Sequence, residues 1–189
     1  MGRWQPDARG RLAKAALELY SERGYEQTTV AEIAGRAGLT ERTFFRHYAD
    51  KREVLFDGSD VLEAVFLQAV AAAPGSAAPI GAVAAALEEV AEFFADRRPH
   101  ARRRQAVIAA NAELRERELI KLASLTAALA GALRLRGVAE PAATLTAEAG
   151  IAVFKVGFER WLAAAEEAGM APFLREALDE LKAVTAAGG

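Results

Sequence analysis

The sequence predicts an all-α chain in two parts, a short three-helix head and a longer helical body, about nine helices in total. Three observations predict it. Apolar residues recur at i, i+3, i+4 and i+7 in the long segments, and no stretch alternates apolar and polar residues long enough for a strand. The six prolines, at 6, 74, 79, 99, 141 and 172, lie between those periodic segments. The densest break, Pro74-Gly75-Ser76-Ala77-Ala78-Pro79, separates the head and the helix that follows it from an alanine-rich body.

Within the head, Leu12, Ala15, Ala16, Leu19 and Tyr20 mark one face of a first helix, and Gly24 stands where a left-handed C-terminal cap belongs. Thr29-Val30-Ala31-Glu32 has the capping-box pattern, and Val30, Ile33, Ala34 and Ala37 give a second, short helix one buried stripe before Gly38. Thr40 caps a third segment of under three turns, in which Phe44 and Tyr48 lie one turn apart and face inward. Asp50 and Glu53 form a further capping box, predicting a fourth helix that starts at Asp50 and runs to the Pro74 break. Two short helices joined by a tight glycine-containing turn are the helix-turn-helix pattern. With Phe44 and Tyr48 inward, the outer side of the third helix reads Glu41, Arg42, Phe45 and Arg46, with Thr43 and His47 at its margins. Such a face suits a major groove, although periodicity alone equally allows a solvated helix surface.

In the body the spacing predicts helices over 79–96, 99–110, 112–136, 141–168 and 173–186, with Gly137 and Gly169 as caps ahead of Pro141 and Pro172.

Composition narrows the function classes. The chain has 189 residues, 24 Lys and Arg against 26 Asp and Glu, and a net charge of −2, with a hydrophobic fraction of 52% that excludes a disordered chain. It has no cysteine, so there is neither a disulfide framework nor a thiolate metal site, and the two histidines, His47 and His100, are too few for a histidine-rich one. No apolar run approaches the roughly 20 residues needed to span a bilayer. Arg3, Asp7, Arg9 and Arg11 occupy the place of a leader's apolar core, predicting a soluble cytoplasmic protein with no membrane partner. Residues 1–57 carry ten basic against nine acidic side chains, too small an excess to indicate nucleic acid by itself. There is no glycine-rich phosphate loop, nucleophile elbow or zinc-deaminase signature, so neither an enzyme nor a cofactor is expected.

The run Leu19-Tyr20-Ser21-Glu22-Arg23-Gly24-Tyr25, then Thr28-Thr29-Val30-Ala31-Glu32-Ile33-Ala34, then Ala37 to Tyr48 and Lys51-Arg52-Glu53-Val54-Leu55, resembles the DNA-binding domain of the tetracycline-repressor-like (TetR) family, in order and without gaps over about the first 57 residues. The resemblance implies a dimeric bacterial transcription regulator, usually a repressor, whose helical body binds a small molecule and releases double-stranded operator DNA. On that reading 1–57 is the DNA-binding domain, 58–73 a connecting helix and 74–189 the ligand-binding and dimerisation domain. Carried over residue by residue, the DNA-binding set is Thr29, Thr40, Glu41, Arg42, Thr43, Phe45, Arg46, His47 and Lys51. The resemblance implies phosphate contacts from Thr29 and Lys51, base-edge positions for Glu41, Arg42 and Thr43, and backbone contacts from Arg46 and His47. Where the family most often has an outward tyrosine this chain has Phe45, which lacks the phosphate-bonding hydroxyl and leaves an apolar contact such as one with a thymine methyl. Tyr48 replaces a usual inward phenylalanine. The body is broadly similar to a subset that senses acyl-CoA-like or other hydrophobic ligands.

The body carries no comparable motif. Phe93, Phe94, Phe154, Phe158 and Trp161 are its largest apolar side chains; each one alone reads as core, and together they read as the wall of a cavity for an apolar effector, with Arg104, Asn111 and Lys155 as polar candidates beside it. Arg102-Arg103-Arg104 reads as a phosphate patch or a solvated helix face, and His100 as a helix-start residue. A homodimer is expected through the last two long helices, using Ala149, Gly150, Val153, Gly157 and Trp161 with Phe173, Leu174, Leu178 and Leu181; the counter-reading is an intramolecular core. The alternative function is an all-helical module that binds hydrophobic molecules or protein partners without touching DNA.

Overall fold

The computed structural model describes residues 7–165 and 168–186, so the readings that rest on Arg3 or on positions 166 and 167 lie outside the described residues. The elements are α1 (Ala8–Arg23), α2 (Val30–Arg36), α3 (Glu41–His47), a 3-10 turn (Glu53–Phe56), α4 (Ser59–Ala72), α5 (Pro79–Phe93), α6 (Arg98–Ala110), α7 (Ala112–Leu135), α8 (Ala142–Ala163) and α9 (Ala171–Ala186). Among the described residues there is no strand, and no helix is long and apolar enough to cross a membrane.

The chain divides into two compact units, Met1–Gly58 with Pro99–Leu119, and Ser59–Arg98 with Ile120–Gly189. The first is the head enlarged by most of α6 and the start of α7. Its core is Leu12, Ala16, Leu19, Tyr20, Ile33, Phe44 and Val54–Phe56, and Val107, Ile108 and Leu114 belong to the same cluster. A division at Pro74 by composition does not anticipate this, because nothing in the spacing of residues 99–119 says which core they fill.

Local chemistry fixes the head helices. Thr29 caps α2 with both arms of the capping box present, its hydroxyl accepting from the Glu32 N–H while the Glu32 side chain accepts from the Thr29 N–H. The Thr40 hydroxyl accepts from the Thr43 N–H to cap α3. Between the two helices Gly38 takes φ 66°, where a side chain is strained, and so closes the turn. The fourth helix departs from expectation. The Asp50 carboxylate accepts from the N–H groups of Arg52 and Glu53, but the segment it opens is the 3-10 turn, and Gly58 at φ 87° precedes α4. Val54, Leu55 and Phe56 are consecutive and all buried. The short turn is thus buried on all its sides, and Gly58, at a φ no continuing helix adopts, separates it from α4.

In the second unit α8 carries Ala147, Gly150, Ile151, Phe154, Gly157 and Trp161 inward. A Cβ on Gly150 would stand 2.5 Å from Val83 Cγ1, and one on Gly157 would stand 2.7 Å from Leu174 Cδ2. These small residues therefore admit α5 and α9 of the same chain, and the expected dimer face of Gly150, Val153, Gly157 and Trp161 is corrected to an intramolecular core. Leu174 and Leu178 of α9 are likewise buried. The large apolar side chains that α8 leaves exposed are Leu145 and Val156. The helix ends at Ala163, earlier than the expected 168, because the Arg98 guanidinium donates to the carbonyls of Trp161 (2.7 Å) and Ala164 (2.5 Å), and the Trp161 indole N–H donates to the Ala168 carbonyl.

Candidate nucleic-acid interface

The third helix is amphipathic in a way its sequence dictates. Phe44 and Tyr48, one turn apart, are buried; Glu41, Arg42, Phe45 and Arg46 are exposed, and Thr43 and His47 lie half-buried at the edges. Phe45 is 55% exposed, and its ring meets the Phe44 ring edge-on at 5.4 Å, so a large apolar side chain is presented outward from a fixed base. The His47 Nε2 atom is buried without a hydrogen-bond partner.

Charge pairing separates this face from the rest of the head. Arg9 pairs with Asp57 (2.5 Å), Arg23 with Glu32 (3.0 Å), Arg36 with Glu22 (2.9 Å) and Arg52 with Asp50 (2.7 Å). The Arg11 guanidinium donates to the Ala37 carbonyl in the helix-turn-helix turn. Each carboxylate so paired is depressed below its ordinary range where a shift is resolved, Glu22 by Arg36 and Asp50 by Arg52. Arg42 and Arg46 make no ion pair among the described residues. Two guanidiniums directed outward with no internal counter-charge are what a polyanion attracts.

Lys51 is the main departure from the expected contacts. Its ammonium donates to the carbonyls of Tyr25 (2.9 Å) and Thr28 (3.1 Å), reaches that of Glu26 (3.5 Å) and lies 4.3 Å from the centre of the Tyr25 ring. The three donors of an ammonium are thereby occupied by the α1–α2 loop, and no donor is left for a phosphate. Tyr20 locks the same joint from the other side, its hydroxyl donating to the Lys51 carbonyl at 2.7 Å; burial pushes that hydroxyl well above its ordinary value, so it stays a donor. Tyr48, whose hydroxyl donates to the Arg9 carbonyl (3.2 Å), ties the end of α3 to α1. Sequence reasoning missed these tyrosine contacts because the partners lie 31 and 39 residues apart. Thr29 and Thr40 are exposed, but their hydroxyls are engaged in the caps described above.

The candidate effector residues are not brought together as expected. Phe94 meets Phe158 (5.5 Å), Trp161 (5.9 Å) and Phe93 (5.1 Å), and Phe154 meets Phe158 (5.6 Å), so all five aromatic rings form one cluster in the second unit. Phe66 of α4 joins it through Phe154 (5.7 Å). Its signal in sequence was the i, i+4 pair with Val70. Arg104 and Asn111, by contrast, belong to the first unit. The Arg104 side chain is half-buried: its Nε donates to the Leu55 carbonyl (2.6 Å), Nη1 pairs with Glu118 (3.3 Å), and the guanidinium lies over the Phe56 ring. Burial pulls its pKa down, and Glu118 opposes that pull. The Asn111 amide donates to the Val107 carbonyl, and the residue borders an open groove of about 500 Å³ with Tyr25, Arg23 and Arg103. Lys155 is exposed, about 100° round the helix from buried Phe154. Among the described residues no group of three or more His, Asp and Glu side chains could hold a metal ion.

Comparison with known proteins accords with this geometry. Residues 12–57 match the family model of bacterial regulatory proteins of the tetR family, and residues 77–186, more than half of the chain, match that of the MftR C-terminal domain. The chain is 39% identical over 82 residues to the HTH-type transcriptional regulator TcmR of Streptomyces glaucescens, a match covering 43% of this chain and 36% of that protein. The chain thus matches about a third of the length of that curated relative. Among solved structures, FadR of Bacillus subtilis in complex with stearoyl-CoA superposes with a TM-score of 0.62 at 19% identity, over 91% of this chain and 96% of that one. The repressor FadR of Thermus thermophilus in complex with lauroyl-CoA gives 0.53 at 24% identity, over 92% and 93%. With a helix-turn-helix head, a third helix that turns Arg42 and Arg46 outward, and a matching helical body, the chain belongs to the TetR family of bacterial regulatory proteins.

Proposed function

We propose that this protein is a cytoplasmic, ligand-responsive repressor that binds a palindromic operator as a dimer through α3 and leaves it when a small, largely apolar effector binds the second unit. The observation that carries the reading is the outer face of α3, where Arg42 and Arg46, without ion pairs among the described residues, stand beside an exposed Phe45 in a head whose other guanidiniums are mostly paired. Arg42 donates to a base edge and Arg46 to backbone, with Thr43 and His47 at the margins of the contact.

The aromatic cluster of the second unit supports an apolar effector, and the fatty acyl-CoA molecules bound by the two FadR proteins indicate an acyl chain as its class. Dimerisation is required to present two heads to half-sites about one helical turn, roughly 34 Å, apart. With Gly150 and Gly157 covered within the chain, the exposed Leu145 and Val156 of α8 and Val184 of α9 are apolar side chains of the last two helices that remain to form it.

Selection of bound sequences from a pool of random duplexes tests the first claim. A twofold-symmetric site should emerge, with its affinity falling steeply as salt rises. No enrichment, or sedimentation as a monomer on operator DNA, would overturn the reading.

A further inference from the structure

Resting on the reading of the protein as an operator-binding regulator, we infer that Glu41 is a specificity residue, its carboxylate accepting from the exocyclic amino group of a cytosine in each half-site. The residue is exposed on the outer face of α3, one turn ahead of Phe45. Helices α1, α2 and α3 carry four carboxylates. Glu18 and Glu22 face Arg36, and Glu32 faces Arg23, whereas Glu41 makes no ion pair among the described residues, although Arg42 follows it directly in sequence. Neighbours at i and i+1 point to different sides of a helix, so Glu41 and Phe45 form one ridge of α3, and Arg42 and Arg46 the next.

An ionised carboxylate only accepts hydrogen bonds. In the major groove guanine offers two acceptors, and thymine an acceptor and a methyl group. Adenine offers a donor next to an acceptor, and cytosine a donor with no acceptor beside it on the same base. A carboxylate at the base edges is therefore repelled by guanine and thymine, meets adenine N7 with one oxygen, and is satisfied by cytosine. The surrounding phosphates sharpen the choice, since an unmatched negative charge brought among them weakens binding. The next residue on the ridge, Phe45, offers apolar surface to the pyrimidine side of a neighbouring pair, which makes the ridge as a whole a reader of pyrimidines.

An acid in the first turn of a helix also favours the helix dipole, and this structural role is separable from base reading. Enriched sequences would be compared for the full-length wild type, Glu41→Gln and Glu41→Asp. Wild type should require cytosine at one position of each half-site, with about tenfold or greater loss on changing it. Glu41→Gln should move the preference at that position from cytosine to adenine, because an amide pairs with adenine N6 and N7. Replacing that cytosine by pyrimidin-2-one, which lacks only the amino group, should cost wild type about tenfold and Glu41→Gln little, a comparison independent of how either variant folds. Absence of any enriched site for wild type would defeat the regulator reading itself. An enriched site whose base preferences are the same for wild type and Glu41→Gln, or indifference of wild type to the missing amino group, would overturn the role of Glu41 and leave the regulator standing.

Discussion

Two cations of the head, Arg42 and Lys51, are both expected from the sequence to contact DNA, at a base edge and at a phosphate, and the folded chain separates them further. Arg42 is exposed on α3 and makes no ion pair among the described residues; Lys51 is half-buried with its ammonium against the carbonyls of Tyr25 and Thr28. They should fail differently. Arg42→Ala should weaken operator binding by about 1–3 kcal/mol and relax preference at one position, with thermal stability nearly unchanged. Lys51→Ala leaves buried carbonyls without a charged donor, and should cost about 1–3 kcal/mol of folding stability while leaving the salt dependence of DNA binding at the wild-type slope. A slope lower by about one in Lys51→Ala, with unchanged unfolding, would return Lys51 to the phosphate contacts. The pattern of burial on α3 was legible because Phe44 and Tyr48 set the inward side and everything else follows at 100° per residue. The destination of Lys51 was not, since its partners precede it by 23 to 26 residues and no local spacing encodes them.

The elements of the head were legible where capping chemistry is local, and α2 allows this to be measured. The backbone N–H of Thr29, and then its hydroxyl, hold the Glu32 carboxyl below the ordinary glutamate value of about 4.3. The sign follows from the direction. A carboxyl depressed in the folded state contributes stability above its unfolded value, and that contribution is lost as pH falls through the folded one. Wild type should therefore lose more stability than Glu32→Gln between about pH 5 and pH 3, and Thr29→Ala should cost about 1 kcal/mol at neutral pH through loss of the cap. Parallel acid limbs for wild type and Glu32→Gln would show that the box contributes nothing to the pH dependence. The same local logic misplaced the start of the fourth helix. Asp50 does accept from two N–H groups, yet the helix it opens is a single 3-10 turn that ends before Gly58 at φ 87°, and α4 starts only at Ser59.

At the scale of the whole molecule, composition placed a break at Pro74, while packing assigns residues 99–119 to the unit that holds the helix-turn-helix. The chain consequently passes between the units three times, after Gly58, after Arg98 and after Leu119. The second passage falls at the first residue of α6 and the third within α7, so a division by composition alone cannot find them. An effector acts only to the extent that it binds the arrangement unable to hold DNA more tightly than the competent one, and a typical coupling of 1–3 kcal/mol lowers operator affinity about 5- to 150-fold. Coupling of binding is reciprocal, so operator DNA must weaken the effector by the same factor. Titration of long-chain acyl-CoA molecules with and without saturating operator should give two affinities whose ratio equals the ratio of operator affinities with and without the effector. Phe158 is half-buried and in ring contact with Phe94, Phe154 and Trp161, so its truncation opens the middle of the cluster without emptying a fully buried position. Phe158→Ala should change acyl-CoA affinity while operator affinity in the absence of ligand stays within about twofold, the standing of a residue that lines a ligand site and touches no DNA. If a folded Phe158→Ala protein keeps both acyl-CoA affinities of the wild type, the aromatic cluster is core packing alone and the effector binds elsewhere.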